Sequence, residues 1–275
     1  MPTEIDQKLT LSSWLNRLSL PSLPKKFLKK LPLGRILARK VRERRYPQRA
    51  VLDVNGVRSV FEFSNPTEEY RTMHYGGELG FLISMIEETK PGDVFFDIGS
   101  CVGLVTIMVA RKGASVVAFE PDPGFRDRLK NNLGLNGLVE VVVKDWATTD
   151  SSGEVFLYTD GTAGRSPSLR QTGSRAAIEV QTRAIDEALS SGVLPEPDIV
   201  KLDIEGAEGL ALTGMRQLLT SPGRPRTIFL ELHPEFLPAF GWAAGQVLEQ
   251  LQEFGYYRDY AAGRDAQTHY VFRRS

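Results

Sequence analysis

The chain predicts a doubly wound α/β fold with a mostly parallel sheet, preceded by a basic N-terminal extension. Three observations carry this expectation. Short apolar runs at about 94–98, 115–120, 139–143, 198–203 and 227–232 alternate with helical stretches near 103–112, 123–135 and 206–219. Such continuously apolar runs suit strands covered on both faces, and right-handed strand–helix–strand units wind into a parallel sheet. The first run ends in a turn containing Gly99 and Gly103, and acids gather where the other runs end. Open α/β sheets bind ligands at those carboxyl ends.

The elements before residue 85 read differently. Within 25–49, eleven Lys or Arg face one acid, Glu43, although the formal net charge of the 275 residues is zero. Residues 1–49 therefore form a basic arm, and the rest is net acidic. Pro21, Pro24 and Pro32 limit helix in the arm, while Leu33, Ile36, Leu37 and Val41 recur at helical spacing. Residues 25–49 suit contact with an anionic membrane surface or another polyanion; the plainer alternative is a solvated arm. Residues 50–84 read as a capping hairpin and helix, with strands 50–54 and 59–63 around Asn55-Gly56, a tight-turn pair. The main domain is then 85–275. Within it, short strands at 153–158 and 178–182 flank a polar loop, 159–177, that could cover a site.

Composition excludes several classes. With 41% hydrophobic and 25% charged residues the chain is neither disordered nor fibrous. The single cysteine, Cys101, forms no internal disulfide, and no Cys/His spacing suggests zinc. There is no signal-peptide pattern and no apolar run of about 18 residues, so the expected location is cytoplasmic, peripheral at a membrane if the arm binds lipid.

The turn Asp97-Ile98-Gly99-Ser100-Cys101-Val102-Gly103 is the most informative segment. Glycines allow tight turns and close approach of a ligand to backbone. The G-x-G-x-x-G spacing of a dinucleotide fingerprint is absent, and Asp97 is placed to hold an ammonium group, which suits an amino-acid-bearing sulfonium ligand. Glu120, about twenty residues past the glycine turn and followed by Pro121, can accept both hydroxyls of a ribose. Asp145 and Trp146 fall where an adenine would be edged by a carboxylate and covered by a ring; a buried structural tryptophan fits equally. Lys201, Asp203 and Glu205 share one side of the fourth strand's end, with Glu208 just beyond. Glu231 and His233 close the fifth strand at the same sheet edge. His233 can act as a base near neutral pH, or it is a hydrogen-bonded structural histidine.

Taken together, the Asp-x-Gly-x-x-x-Gly turn, the Phe119-Glu120-Pro121 segment and Lys201-x-Asp203-x-Glu205-Gly206-x-Glu208 resemble the FkbM family of methyltransferases over about residues 70–240. The resemblance implies a class I, Rossmann-like sheet with an antiparallel final strand, near 269–272 after a strand near 256–260. It also implies S-adenosyl-L-methionine as cofactor and methyl transfer to a hydroxyl of a sugar, glycan or secondary metabolite. The cofactor-binding candidates are Asp97, Gly99, Ser100, Gly103, Glu120, Pro121, Asp145, Trp146 and Asp203. The catalytic candidates are Asp203, Glu205, Glu231 and His233, with Asp203 or His233 as base, no metal ligands and no metal required. Ser168-Leu169 resembles the family's loop before the second inserted strand. Cys101 departs from the expected Asn, and the arm lies outside the resemblance.

Three alternatives remain open to the sequence. A nicotinamide-dependent oxidoreductase shares the turn and ribose acid but needs the missing third glycine. A nucleic-acid methyltransferase would use the basic arm, yet the chain has neither an Asn-Pro-Pro-aromatic segment nor a Pro-Cys nucleophile. A non-catalytic binding module could keep the fold.

Overall fold

The computed structural model describes residues 46–274 except 172, 224 and 265; the expectations for residues 1–45 lie outside them. Residues 49–275 form one compact unit. Its chain order begins with a hairpin, β1 (Gln48–Val54) and β2 (Val57–Phe63), and two helices, α1 (Pro66–Met73) and α2 (Leu79–Glu88). The winding units follow: β3 (Val94–Ile98), α3 (Leu104–Arg111), β4 (Ser115–Phe119), α4 (Pro123–Leu135) and β5 (Val142–Lys144). An inserted sheet of β6 (Ala147–Thr148), β7 (Gly153–Thr159) and β8 (Ala176–Arg183) comes next, then α5 (Ile185–Ser190) and β9 (Ile199–Leu202). The chain closes with α6 (Glu208–Thr213), α7 (Arg216–Thr220), β10 (Thr227–Leu232), α8 (Ala244–Glu253), β11 (Tyr256–Arg264) and β12 (Gln267–Arg274).

The main sheet has the order β11-β12-β10-β9-β3-β4-β5. Pairings from β5 through β10 are parallel, and β12 is antiparallel to both its neighbours. This is the predicted doubly wound sheet with its reversed final strand. Side-chain alternation splits the core in two. Phe96, Ile98, Val200, Leu202, Ile228 and Leu230 pack with the helices that follow β9 and β10. Phe95, Val116, Ala118, Ile199 and Phe229 face the other way, against α2, α3 and the hairpin. Among the described residues, no helix is long and apolar enough to cross a membrane.

Two boundaries differ from expectation. The third strand begins at Val142, not 139, and Val139 is 90% exposed. The expected helix over 206–219 breaks at Gly214, where a Cβ would lie 2.1 Å from the Thr149 carbonyl oxygen. The Asp186 carboxylate accepts from the Gln217 and Leu218 amides and so starts α7 as a separate helix.

The hairpin is tied to the domain through side chains that imitate a strand partner. Asn136 on the Val60 side accepts from its amide and donates to its carbonyl, at 2.9 and 2.7 Å. Asn132, fully buried, accepts from the Glu62 amide at 2.9 Å and donates to the Val102 carbonyl at 3.0 Å. It thereby links hairpin, α4 and the glycine turn. Replacing Asn132 by Ala strands both backbone groups, at about 1–3 kcal/mol each. We expect Asn132→Ala to lower unfolding free energy by about 2–4 kcal/mol, read by urea denaturation.

Candidate active site

Two adjoining cavities open at the carboxyl ends of β3, β4 and β9. The smaller is lined by Ile98, Phe119, Glu120, Pro121, Trp146, Leu157 and Leu169, among others. The larger is lined by Ser100, Lys201, Glu231 and Gln267, and by Thr67, Tyr70, Arg71, Tyr75 and Glu78 from the N-terminal helices. Gly99, Cys101, Ser166, Asp203 and Glu205 line both. The loop between β7 and β8 contributes Gly164, Arg165, Ser166, Pro167, Ser168 and Leu169 to one wall or the other, so the polar insertion does cover the site.

The glycine turn is shaped by its neighbours. At Gly99, φ is 85° and a Cβ would stand 1.8 Å from the Asp203 carbonyl oxygen. No other residue lets the ends of β3 and β9 approach so closely. Gly103 lines neither cavity; its missing Cβ makes room for Leu129 of α4. Asp97 is also withdrawn from both cavities. Fully buried, it accepts from the Thr106 hydroxyl at 2.5 Å and lies 3.1 Å from Lys201 Nζ. The sequence places Asp97 to hold a ligand ammonium, directly or through water; in the structure its oxygens face Thr106 and Lys201.

Lys201 is the residue that sequence reasoning left out of the site. Its ammonium donates to the Gly99 carbonyl at 2.6 Å and lies 3.4 Å from Asp203. Burial works to lower its pKa, but the Asp97 and Asp203 carboxylates outweigh burial and hold it above the ordinary lysine value. Helix α1 was equally hidden, although Asn65 before Pro66 is a cap-and-proline start signal; from this region Tyr70, Arg71 and Tyr75 reach the larger cavity.

Glu120 sits in the smaller cavity, 4% exposed, accepting from the Cys101 and Asp122 amides at 2.8 and 2.9 Å. Burial pushes its pKa up to about 8. Trp146 stands edge-on to Phe119 with ring centroids 5.9 Å apart, and its buried indole Nε1 has no hydrogen-bond partner. Asp145, expected beside it, is exposed and lines neither cavity. An apolar slot with a buried carboxylate and a free indole donor fits a nucleoside.

At the other end, Glu231 lies 3.2 Å from His269 Nε2 and 3.7 Å from His233 Nε2, and accepts from the Gln267 side chain. Burial, helped by Asp203, pushes Glu231 up to about 8. Glu205 is raised by burial, against the pull of His233, and the Ser166 hydroxyl bonds to it. His233 lines neither cavity. Its Nδ1 is 2.9 Å from Glu208, its Nε2 3.8 Å from Glu205, and its ring stacks on Phe236. Burial would lower its pKa, yet the Glu208 bond and the Asp203 and Glu205 charges raise it to about 10. His233 is thus held by Glu208, Glu205 and Phe236 outside both cavities. Asp203, Glu231 and His233 each place a ligand atom within 4.8 Å of the others, as do Glu78, Glu231 and His269; either group is spaced for a divalent cation, which linear spacing does not reveal.

Backbone strain marks the same place. Four non-glycine residues among those described have positive φ: Asn55 in the hairpin turn, and Tyr75, Cys101 and Glu205, all three lining the larger cavity. Such residues concentrate where function requires a geometry the chain would not choose.

A parallel sheet closed by one antiparallel strand, with a cavity over its glycine turn, is the class I methyltransferase architecture. Residues 97–257 match the methyltransferase FkbM domain, and the chain belongs to that family. It is 28% identical over 183 residues to the hexuronic acid methyltransferase AglP of Haloferax volcanii, a match covering 66% of this chain and 74% of that protein. It is 27% identical over 191 residues to the 2-O-methyltransferase NoeI of Sinorhizobium fredii, covering 63% and 76%. The chain is an S-adenosylmethionine-dependent methyltransferase, and the nicotinamide alternative falls away.

Among the groups here that bind protons more readily than in an unfolded chain, Glu120 and Glu231 are raised to about 8 and His233 to about 10. Each contributes most below its unfolded pKa and loses that contribution as pH rises through its folded value. The melting temperature of the ligand-free protein therefore falls progressively from pH 5 to pH 10. In His233→Gln the part of the decline between pH 8 and 10 should flatten, which a pH series of thermal scans would read.

Proposed function

We propose that this methyltransferase transfers its methyl group to a hydroxyl of a saccharide, whether free, in a glycan or on a secondary metabolite. The observation that carries the reading is the pair of joined cavities, one nucleoside-shaped and one larger and ringed by carboxylates, meeting at Gly99, Asp203 and Glu205. Carboxylates pair well with the hydroxyls of a sugar, and both named relatives carry methyltransferase names, one for a hexuronic acid and one for 2-O-methylation.

Bound S-adenosylmethionine supplies a methyl group already activated on sulfonium, so the protein's task is alignment, exclusion of water and acceptance of one proton. In this reading Glu120 accepts from both ribose hydroxyls, Pro121 and Trp146 flank the adenine, and the Gly99–Ser100 backbone with Asp203 holds the amino-acid end. Glu231 is the proton acceptor. It lines the larger cavity with a pKa near 8, whereas Asp203 is tied to Lys201 and His233 is protonated. Glu205 orients the acceptor, and His233 fixes the carboxylates around it. The eleven basic residues within 25–49 support a cytoplasmic enzyme held at an anionic membrane surface or another polyanion.

Glu120→Ala removes two hydrogen bonds to the ribose, each roughly 1.5 kcal/mol. The variant should bind S-adenosylhomocysteine roughly 100-fold more weakly by isothermal titration; unchanged affinity would remove Glu120 from the cofactor site. With a hydroxylated saccharide acceptor, Glu231→Gln should lower kcat by about 100-fold or more while leaving S-adenosylhomocysteine affinity intact. The wild-type kcat should rise with pH to a plateau above about 8. If kcat fell only in Asp203→Asn, Asp203 would be the base instead.

A further inference from the structure

The wall of the larger cavity opposite in sequence to the acidic strand ends is built by the loop after β7, and Arg165 lies at its centre. Arg165 lines the cavity, is exposed, and has no hydrogen-bond or ion-pair partner among the described residues. An unpaired arginine on an open surface is ordinary. This one is held on a braced backbone. Arg71 donates to the carbonyls of Thr162 and Gly164 at 3.1 and 3.0 Å, with its guanidinium over the Phe125 ring. Arg175 donates to the Ser166 carbonyl at 2.8 Å and pairs with Asp160 at 2.9 Å. The carbonyls on both sides of Arg165 are therefore fixed by other arginines, leaving its own guanidinium free to face the cavity.

Tyr70, half exposed, and Tyr75, held at φ 55°, line the same cavity. Aromatic faces offer rigid apolar area, which matches the C–H faces of a sugar ring. Asp203 and Glu231 stand where sugar hydroxyls would be received, and they would repel an anion placed beside them. A negative substituent is better placed beside Arg165, whose guanidinium is unpaired, than beside Arg71, which is held by the Thr162 and Gly164 carbonyls, or Lys201, which is paired with Asp97 and Asp203.

Resting on the saccharide reading above, we propose that the larger cavity takes a saccharide carrying an anionic substituent, a carboxylate or a sulfate, with Arg165 as its counter-charge and Tyr70 and Tyr75 against its ring. A planar guanidinium suits either oxyanion because it can donate two parallel hydrogen bonds.

The test is titration of the full chain, saturated with S-adenosylhomocysteine, by methyl glucuronide, glucose 6-sulfate and neutral methyl glucoside, followed by saturation-transfer NMR. At least one anionic sugar should bind about tenfold more tightly than methyl glucoside, and added salt should narrow the gap. Preference for glucuronide over sulfate identifies a carboxylate as the recognised group, and the reverse a sulfate. Arg165→Ala should erase the preference without changing affinity for methyl glucoside or S-adenosylhomocysteine, and Arg165→Lys should retain part of it. The proposal is overturned if the neutral sugar binds as tightly as both anionic ones, if Arg165→Ala keeps the preference, or if no sugar binds the cofactor-saturated protein. Failure to bind S-adenosylhomocysteine, seen separately in the same experiment, would instead remove the cofactor-site reading and this proposal with it.

Discussion

The Lys201 ammonium is the contact on which the site depends. It spans two segments distant in sequence, the turn after β3 through the Gly99 carbonyl and Asp97, and the end of β9 through Asp203. A buried charge is tolerated only when its partners surround it, and removing one member of such a set costs about 3–5 kcal/mol. Here the partners are supplied by adjacent parallel strands, Asp97 being the direct register neighbour of Lys201. The same contact explains why Gly99 must lack a side chain: the clamp draws the Asp203 carbonyl into the space a Cβ would take.

Around that clamp the protein places its charges in layers. Asp97, Thr106 and Lys201 form a buried base that meets ligand only through Lys201's edge of the cavity. Asp203, Glu205 and Glu231 stand above it, and His233, bonded to Glu208, supports them from behind. Crowded carboxylates in a buried site hold protons more tightly than in water, so the cluster contains groups that exchange a proton near neutrality without any free histidine. Here His233 is held by Glu208, and burial raises Glu231.

The larger cavity depends on contacts between regions far apart in the chain. Its floor comes from the strand ends, one wall from the loop within the inserted sheet, and another from α1 and the turn after it. Arg71 joins the last two, and Asn65 and Thr67 add hydrogen bonds to Thr162 and Ala163. The helix that supplies these residues precedes the segment matched to the family, which begins at residue 97. The glycine turn and acidic strand ends thus lie in the shared sheet, while the larger cavity draws on elements attached to it.

The parallel sheet and the strand-end positions of Glu120, Trp146, Asp203, Glu205 and Glu231 were legible because they rest on local pattern: apolar runs, a turn rich in glycine, and a motif of fixed spacing at a strand end. Patterns of that kind are set by periodicity and backbone sterics within a few residues. The reversed final strand came only from the resemblance to the family, and the strand order only from the structure. The withdrawal of Asp97, Gly103 and His233 from the cavities was not legible. Each depends on a partner brought from elsewhere: Lys201 for Asp97, Leu129 for Gly103, Glu208 for His233. A residue type states which interactions it is able to make, and linear order names the chemistry of the cofactor. Which of those interactions is used is settled by burial and by neighbours more than twenty residues away, because only packing decides whether a carboxylate faces water, a ligand or a lysine.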